Sequence, residues 1–206
     1  SPRIKYKASD IHYADPTVEV TSDGILKDIW GVGFVEKKTQ VGTYIQLTYH
    51  PLQSIDSIED LESYPWPTAD LWDYSDIPHQ MERLKDYPVF IHSRGFFEIS
   101  WFMRGMDNFL VDLSLNPALA CRLMDKVKNY LIARLVKGLE AGKGRIDFVE
   151  LNDDVGGQNG LLISPAMWRD YIKPRMKEMI DVAHSYGARI MYHSCGSVRA
   201  IIPDLI

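Results

Sequence analysis

Short apolar runs alternate with segments of helical periodicity through the second half of the chain, and this order constrains the fold more than any other feature. The apolar runs lie at 88–93, 146–151 and 189–192 and are flanked by glycine, proline or polar residues. The longest helical segment spans 116–141, where leucine or valine recurs every four residues and Asn116 is the predicted cap. Strands that alternate with helices predict right-handed βαβ units and therefore a parallel sheet.

Two more helices are predicted between these strands. One spans 96–106, and the other spans 164–187 with Ser164 as its cap. Pro174 lies inside the second helix and is expected to break or kink it, because proline lacks the N–H that an α-helix needs. Gly187 then ends this helix and leads into the third apolar run.

The region before the parallel sheet is less regular and contains a predicted β-hairpin. Residues 28–35 and 41–49 carry aromatic and β-branched side chains typical of strands, and the polar residues 36–38 are the predicted turn. Ser57 is expected to cap a short helix, and a second short helix begins near Pro78. We therefore divide the chain into an irregular N-terminal region with hairpin and short helices and a region of βα units, at 1–86 and 87–206.

The overall composition excludes several classes of function. The chain has 206 residues, of which 46% are hydrophobic, and its net charge is −5. This acidic balance does not favour nucleic acid as a partner, and no apolar run reaches the roughly 18–20 residues of a membrane span. Two cysteines, Cys121 and Cys195, are too few for a disulfide framework, so we expect a cytoplasmic protein.

Polar side chains that are suited to chemistry gather where each predicted strand ends. Because the carboxyl ends of parallel strands meet at one edge of a sheet, these side chains should face one pocket. Acidic side chains are costly to bury without partners, so their presence favours a ligand, metal or catalytic site. In chain order, the three strand ends contribute His92, Arg94 and Glu98, then Glu150, Asn152, Asp153 and Asp154, then His193 and Cys195.

His193 and Cys195 are the sharpest of these signals. Side chains two residues apart in a strand project to the same face, so an imidazole and a thiol are presented together. Two ligands do not make a catalytic zinc site, which usually takes three from the protein and leaves a fourth position open. A structural histidine beside a buried thiol is the competing interpretation. For Asp153 and Asp154, the competing interpretation is that they cap nearby backbone N–H groups. For Arg94, it is that the side chain pairs with a carboxylate for structural reasons.

Three segments of the chain resemble the uroporphyrinogen decarboxylase superfamily. They are GQNGLLISP at 157–165, WRDYIKP at 168–174 and HSCG at 193–196. The sequence is most similar to the branch that contains the cobalamin-dependent, zinc-containing methyltransferases. The resemblance extends over residues 23–206.

The resemblance implies a TIM (β/α)8 barrel, an α/β fold, with a decorated N-terminus. The chain begins with Ser1 and ends inside a helical pattern, so we expect it to be truncated to about half of such a barrel. In the methyltransferases, a His-x-Cys pair that matches His193 and Cys195 binds zinc, and the implied third ligand is a cysteine beyond Ile206. A corrinoid is then expected as the substrate or as a cofactor borne by a partner protein.

Roles for the remaining strand-end residues follow from this chemistry. A zinc-bound thiol is deprotonated at neutral pH, and its thiolate is the nucleophile in methyl transfer to or from a corrinoid. Carboxylates beside the site would orient the substrate or support His193. The predicted catalytic residues are Glu150, Asp153 and Asp154. The predicted substrate-binding residues are His92, Arg94, Glu98 and Asn152.

Two alternative functions stay open at this point. One is a cofactor-free uroporphyrinogen decarboxylase, and the other is a non-catalytic scaffold that binds a corrinoid or a porphyrin. Decarboxylases of the family hold the pyrroles with an aspartate near the start of the barrel, and residues 1–87 contain no convincing match to that segment. The expected partners are a small-molecule substrate, a corrinoid protein and a second copy of the chain in a homodimer, without nucleic acid or membrane.

Overall fold

The computed structural model describes residues 6–7, 19–22 and 24–206. The rest of the segment 1–21, for which the sequence predicts no periodicity, lies outside the described residues. The N-terminal region contains, in chain order, β1 (Tyr6–Lys7), β2 (Glu19–Val20), β3 (Leu26–Lys27), β4 (Gly33–Thr39), β5 (Gly42–Tyr49), α1 (Ile58–Ser63), β6 (Trp72–Asp73) and α2 (Ile77–Arg83). β2, β3, β4 and β5 form an antiparallel sheet, whereas β1 and β6 pair in parallel.

The predicted hairpin is confirmed, but its turn lies further along the chain than the pattern indicates. Pairing of β4 with β5 continues until Thr39 faces Gly42, so Gln40 and Val41 form the turn. The polar residues 36–38, which the sequence assigns to the turn, lie in β4 and are exposed. Because this end of the hairpin is solvated, charged side chains are as acceptable in the strand as in a turn, and polarity does not mark the turn.

Two of the three predicted helix caps are made by side chains. Ser57 Oγ accepts the Asp60 N–H and Ser164 Oγ accepts the Met167 N–H, each at 3.1 Å. Asn116 makes no side-chain capping bond. A preceding helix ends directly before it, and the Asn116 N–H donates to the Asp112 carbonyl at 2.8 Å. Asn116 is therefore fixed between two helices by its backbone instead.

The second half of the chain alternates strands and helices as predicted. It contains β7 (Phe90–Arg94), α3 (Phe96–Arg104), α4 (Met106–Leu115), α5 (Pro117–Gly142), β8 (Phe148–Asn152), α6 (Pro165–Met167), α7 (Lys173–Ser185), β9 (Arg189–His193) and α8 (Ile202–Leu205). The strands β7, β8 and β9 form a parallel sheet with β8 in the middle. This confirms the α/β class. The described residues do not close a barrel, so the half-barrel stays a prediction.

Two helical segments differ from the predicted pattern. The segment 96–106 ends early because Gly105, with φ of +85°, separates α3 from α4, a helix that the pattern does not indicate. In the segment 164–187, a π-helical turn at Trp168–Ile172 precedes α7. Pro174 then lies in the first turn of α7, so the irregularity that the sequence predicts at this proline takes the form of a π-helical turn directly before it.

The register of the parallel sheet separates an outer face from an inner face. The outer face packs towards α5 and α7, and its side chains Val149 and Leu151, on the middle strand, are almost completely buried. α5 lies so close that a Cβ added to Gly138 would stand 2.4 Å from the Cδ1 atom of Ile91. This face, together with the helices that cover it, forms the main core of the α/β region.

The inner face carries the polar side chains of the three strands. Its members pair in register across the sheet, first His92, Glu150 and Met191, then Arg94, Asn152 and His193. β9 was expected to be a buried strand, but it lies at the edge of the sheet and Met191 is 43% exposed. Burial of β9 is therefore limited to its outer face, which packs against α7.

Candidate metal centre

Three potential metal ligands converge where β8 and β9 end. The Asp153 N–H donates to the His193 carbonyl at 3.0 Å, which brings the loop after β8 against the end of β9. Asp154, His193 and Cys195 each offer one ligand atom, and these three atoms lie within 4.8 Å of one another. We name these three residues the ligand cluster.

Two of the three separations among these atoms fit a tetrahedral zinc ion. Cys195 Sγ lies 3.5 Å from His193 Nε2, and His193 Nε2 lies 3.7 Å from Asp154 Oδ1. Ligands bound tetrahedrally at about 2.0–2.3 Å from zinc stand about 3.3–3.8 Å apart. Nitrogen, sulfur and oxygen are also the donor types that zinc takes in proteins. The donor types and these two separations therefore suit zinc, and Cys195 Sγ lies within 4.8 Å of the Asp154 carboxylate.

The carboxylate of Asp154 controls the protonation of the Cys195 thiol. The hydrogen bond between these side chains, and then the negative charge of Asp154, raises the pKa of Cys195. Asp154 Oδ1 also accepts the Cys195 N–H at 2.6 Å, which fixes the carboxylate beside the thiol. A cation bound between the two groups would have the opposite effect, because positive charge stabilises the thiolate. A cation held here would therefore lower the pKa that Asp154 raises.

Asp153 lies in a different environment from its neighbour in the sequence. Its buried carboxylate accepts the Phe97 N–H at 3.2 Å and the Glu98 N–H at 2.9 Å. It thereby caps α3, whose own N-cap residue, Gly95, has no side chain to do so. Burial raises the pKa of Asp153 to about 7. Both oxygens of this predicted catalytic residue are thus bonded to α3.

The predicted substrate-binding residues and Glu150 lie beside the ligand cluster. Among them, His92 and Arg94 each stand next to a carboxylate. His92 Nδ1 lies 3.2 Å from Glu150 Oε2, and Arg94 Nη2 lies 3.3 Å from Glu98 Oε2. Asn152 stands in register between Arg94 and His193 on the inner face. His92 and Arg94 therefore each have a carboxylate next to them, and Asn152 lies between these pairs and the cluster.

Sequence reasoning placed all of these residues at one edge of the sheet but did not identify Asp154 as a potential ligand. Two adjacent aspartates follow β8, and the pattern does not indicate which of them turns towards β9. The only available signal is that successive side chains of a strand point to opposite faces, which indicates that the two aspartates face different ways. The cysteine ligand predicted beyond Ile206 is not tested by this chain and stays a prediction.

Comparison with known proteins identifies the family of the chain. The family model for uroporphyrinogen decarboxylase (URO-D) matches residues 42–206, which is most of the sequence. The chain therefore belongs to the uroporphyrinogen decarboxylase family, as its sequence motifs predict. No curated protein sequence matches it.

A solved structure, a methyltransferase from Methanosarcina mazei, has the same fold. It matches with a TM-score of 0.64 at 22% sequence identity, over 86% of this chain and 50% of the methyltransferase. The chain thus spans about half the length of that protein, and at this identity the likeness shows the fold alone. None of the helices in the described part of the chain combines the length and apolar character needed to cross a membrane.

Proposed function

We propose that this chain belongs to a zinc-dependent methyltransferase that moves a methyl group between a corrinoid and a thiol or related acceptor. The observation that carries the proposal is that Cys195 Sγ and Asp154 Oδ1 both lie at a distance from His193 Nε2 that suits tetrahedral zinc. The corrinoid would be a substrate or a cofactor borne by a partner protein. The methyltransferase with the same fold supports this choice within the family.

In the proposed site, His193 and Cys195 hold zinc, and Asp154 is the third donor that this chain itself offers. Zinc, when bound, would supply the positive charge that keeps an acceptor thiol deprotonated at neutral pH. Asp154 would orient Cys195 through the backbone N–H that it accepts at 2.6 Å. Asn152, next to His193 on the inner face, is placed to contact the substrate.

The charges beside the cluster favour a corrinoid over uroporphyrinogen. Uroporphyrinogen carries carboxylates on every pyrrole ring, so its site needs unpaired cationic side chains, whereas the rim of a corrinoid is rich in neutral amides. His92 and Arg94 stand beside Glu150 and Glu98, so these four residues carry no net positive charge. Side chains that are paired in this way suit hydrogen bonds to amides.

A second candidate function, decarboxylation of uroporphyrinogen without a cofactor, is supported by the family match over residues 42–206. It requires neither zinc nor a thiol acceptor. The convergence of three zinc-type ligands has no purpose in that reaction, so we rank it below methyl transfer.

Zinc analysis of the full-length protein separates these functions. We expect about one zinc ion per chain in the wild type, a strong loss in His193→Ala and no loss in His184→Ala, an exposed histidine of α7. Zinc-dependent transfer of methyl groups from methylcobalamin to a small thiol would support the proposal. Metal-free protein that decarboxylates uroporphyrinogen would establish the second function instead. Corrinoid binding without turnover would indicate a scaffold.

A further inference from the structure

The loop that follows Asp154 lies directly against the turn that carries Cys195. We name residues 155–162 the clamp loop. Its ends are joined by the Leu162 N–H, which donates to the Val155 carbonyl at 2.9 Å, and by a β-bridge between Gly156 and Leu161. A closed loop of this kind is stiffer than an open one and holds its position against a neighbour.

Two hydrogen bonds tie the clamp loop to the turn. The Val155 N–H donates to Ser194 Oγ at 3.1 Å, and the Ser197 N–H donates to the Gly157 carbonyl at 2.8 Å. These bonds stand on either side of Cys195 in the sequence. Since Asp154 immediately precedes the loop, the loop connects one candidate ligand to the backbone around another.

Between these bonds the two backbones approach so closely that only glycine fits. A Cβ added to Gly156 would lie 2.6 Å from the Cys195 carbonyl oxygen, and one added to Gly196 would lie 2.4 Å from the Gly156 carbonyl oxygen. The obstructing atoms belong to the backbone, so they cannot rotate away as a side chain would. Gly196 also has φ of +77°, whereas Gly156 is not among the positive-φ residues. A substitution at Gly156 therefore tests the close approach of the two backbones, without strain from a left-handed conformation.

We propose that the clamp loop positions Cys195 for metal binding, with Gly156 as the positioning residue that sets the distance between Cys195 and Asp154. This inference rests on the proposed zinc site. Productive ligand geometry must be held to within about 0.5 Å. A methyl group at Gly156 would push the turn outward by more than that, because a Cβ at 2.6 Å is well inside van der Waals contact. Gly156 touches neither metal nor substrate, so it acts only through Cys195.

The test compares Gly156→Ala with Gly157→Ala in the full-length protein. The matched control is one residue away, and its added Cβ would meet only ordinary contacts at 3.4 Å. We expect Gly156→Ala to weaken zinc binding roughly tenfold or more in a chelator competition. With Co²⁺ as the probe, its thiolate-to-metal charge-transfer band should shift or weaken, which a general loss of stability would not cause. Gly157→Ala should match the wild type in both measurements.

Folded Gly156→Ala protein with wild-type zinc affinity and Co²⁺ spectrum would overturn the inference while leaving the zinc site intact. If Gly156→Ala does not fold, Ser194→Ala is the second test. It removes the bond to the Val155 N–H, together with the bond that Ser194 Oγ donates to the Cys195 carbonyl at 3.1 Å. We expect a smaller but measurable loss of affinity in that variant, and unchanged affinity would count against the clamp. Wild-type protein that binds no zinc would overturn the proposed function itself.

Discussion

The two faces of the parallel sheet carry opposite kinds of side chain, although their residues alternate along the same strands. Val149 and Leu151 on the outer face are buried under helices, whereas Glu150, between them, points to the inner face and pairs with His92. The outer face is apolar because it packs, and burial of apolar area is the main source of stability in a domain. The inner face contributes little to packing, so its residues are free to serve a site.

Adjacent residues after the strand show the same division on a smaller scale. Asp153 is buried and caps α3, and Asp154 reaches the ligand cluster. One aspartate thus supports the fold and the other supports the proposed chemistry. The type of a residue at a strand end therefore does not define its role. The direction in which the side chain leaves the backbone decides it.

The largest effect on folding should come from the outer face. Leu151→Ala removes a side chain that is only 4% exposed, so we expect a loss of about 2–5 kcal/mol in the free energy of unfolding. Met191→Ala on the inner face removes one that is 43% exposed and should change stability by less than about 0.5 kcal/mol. Urea unfolding of both variants measures the contrast. Equal losses would show that the two faces do not differ as described.

The buried cap Asp153 should give stability a dependence on pH. The pKa of Asp153 is about 7 in the folded protein and near its ordinary value of 3.8 in the unfolded chain. The folded state therefore keeps a proton that the unfolded chain has lost, and this contribution to stability disappears as pH rises through about 7. Asp153→Asn lacks the titrating group.

Urea unfolding of the zinc-free protein between about pH 5 and pH 8 measures this difference. The stability of Asp153→Asn relative to the wild type should rise with pH by more than about 1 kcal/mol. Asp181→Asn, at an exposed position of α7, serves as the control and should follow the wild type. Parallel curves for Asp153→Asn and the wild type would contradict the assigned environment of Asp153.

The smallest effect on folding should come from the polar pairs of the inner face. Glu150→Gln weakens a partly exposed pair with His92, so the free energy of unfolding should change by less than about 1 kcal/mol. Its effect on substrate should be greater. We expect the KM for methylcobalamin to rise roughly tenfold, equivalent to about 1.4 kcal/mol, without loss of zinc. Glu140→Gln on exposed α5 surface is the control, and identical kinetics in both variants would argue against a substrate role for Glu150.

The sequence was sufficient to predict the elements whose pattern is set by burial. The three parallel strands, the long helix α5 and the serine caps follow from apolar periodicity and local hydrogen bonding. The hairpin turn was misplaced because exposed charges do not distinguish a strand from a turn. α4 was missed because Gly105, which separates it from α3, gives no periodic signal of its own.

The candidate site was predicted in part for a similar reason. His193 and Cys195 are two residues apart, so their spacing indicates that they lie close together, although β9 ends at His193 and Cys195 lies in the turn that follows. The roles of the two aspartates depend on contacts with residues far along the chain, as in the bonds from Phe97 and Glu98 to Asp153. The close approach of Gly156 to the turn is equally non-local. No spacing rule within one segment indicates such contacts.

The proposed function depends on one zinc ion that Cys195 and His193 hold together. X-ray absorption at the zinc edge of the full-length protein identifies the atoms bound to this ion. We predict a sulfur neighbour at about 2.3 Å in the wild type and in Cys121→Ser, and the loss of one sulfur neighbour, or of zinc itself, in Cys195→Ser. Zinc bound to Cys195→Ser with the same number of sulfur neighbours as the wild type would contradict the account.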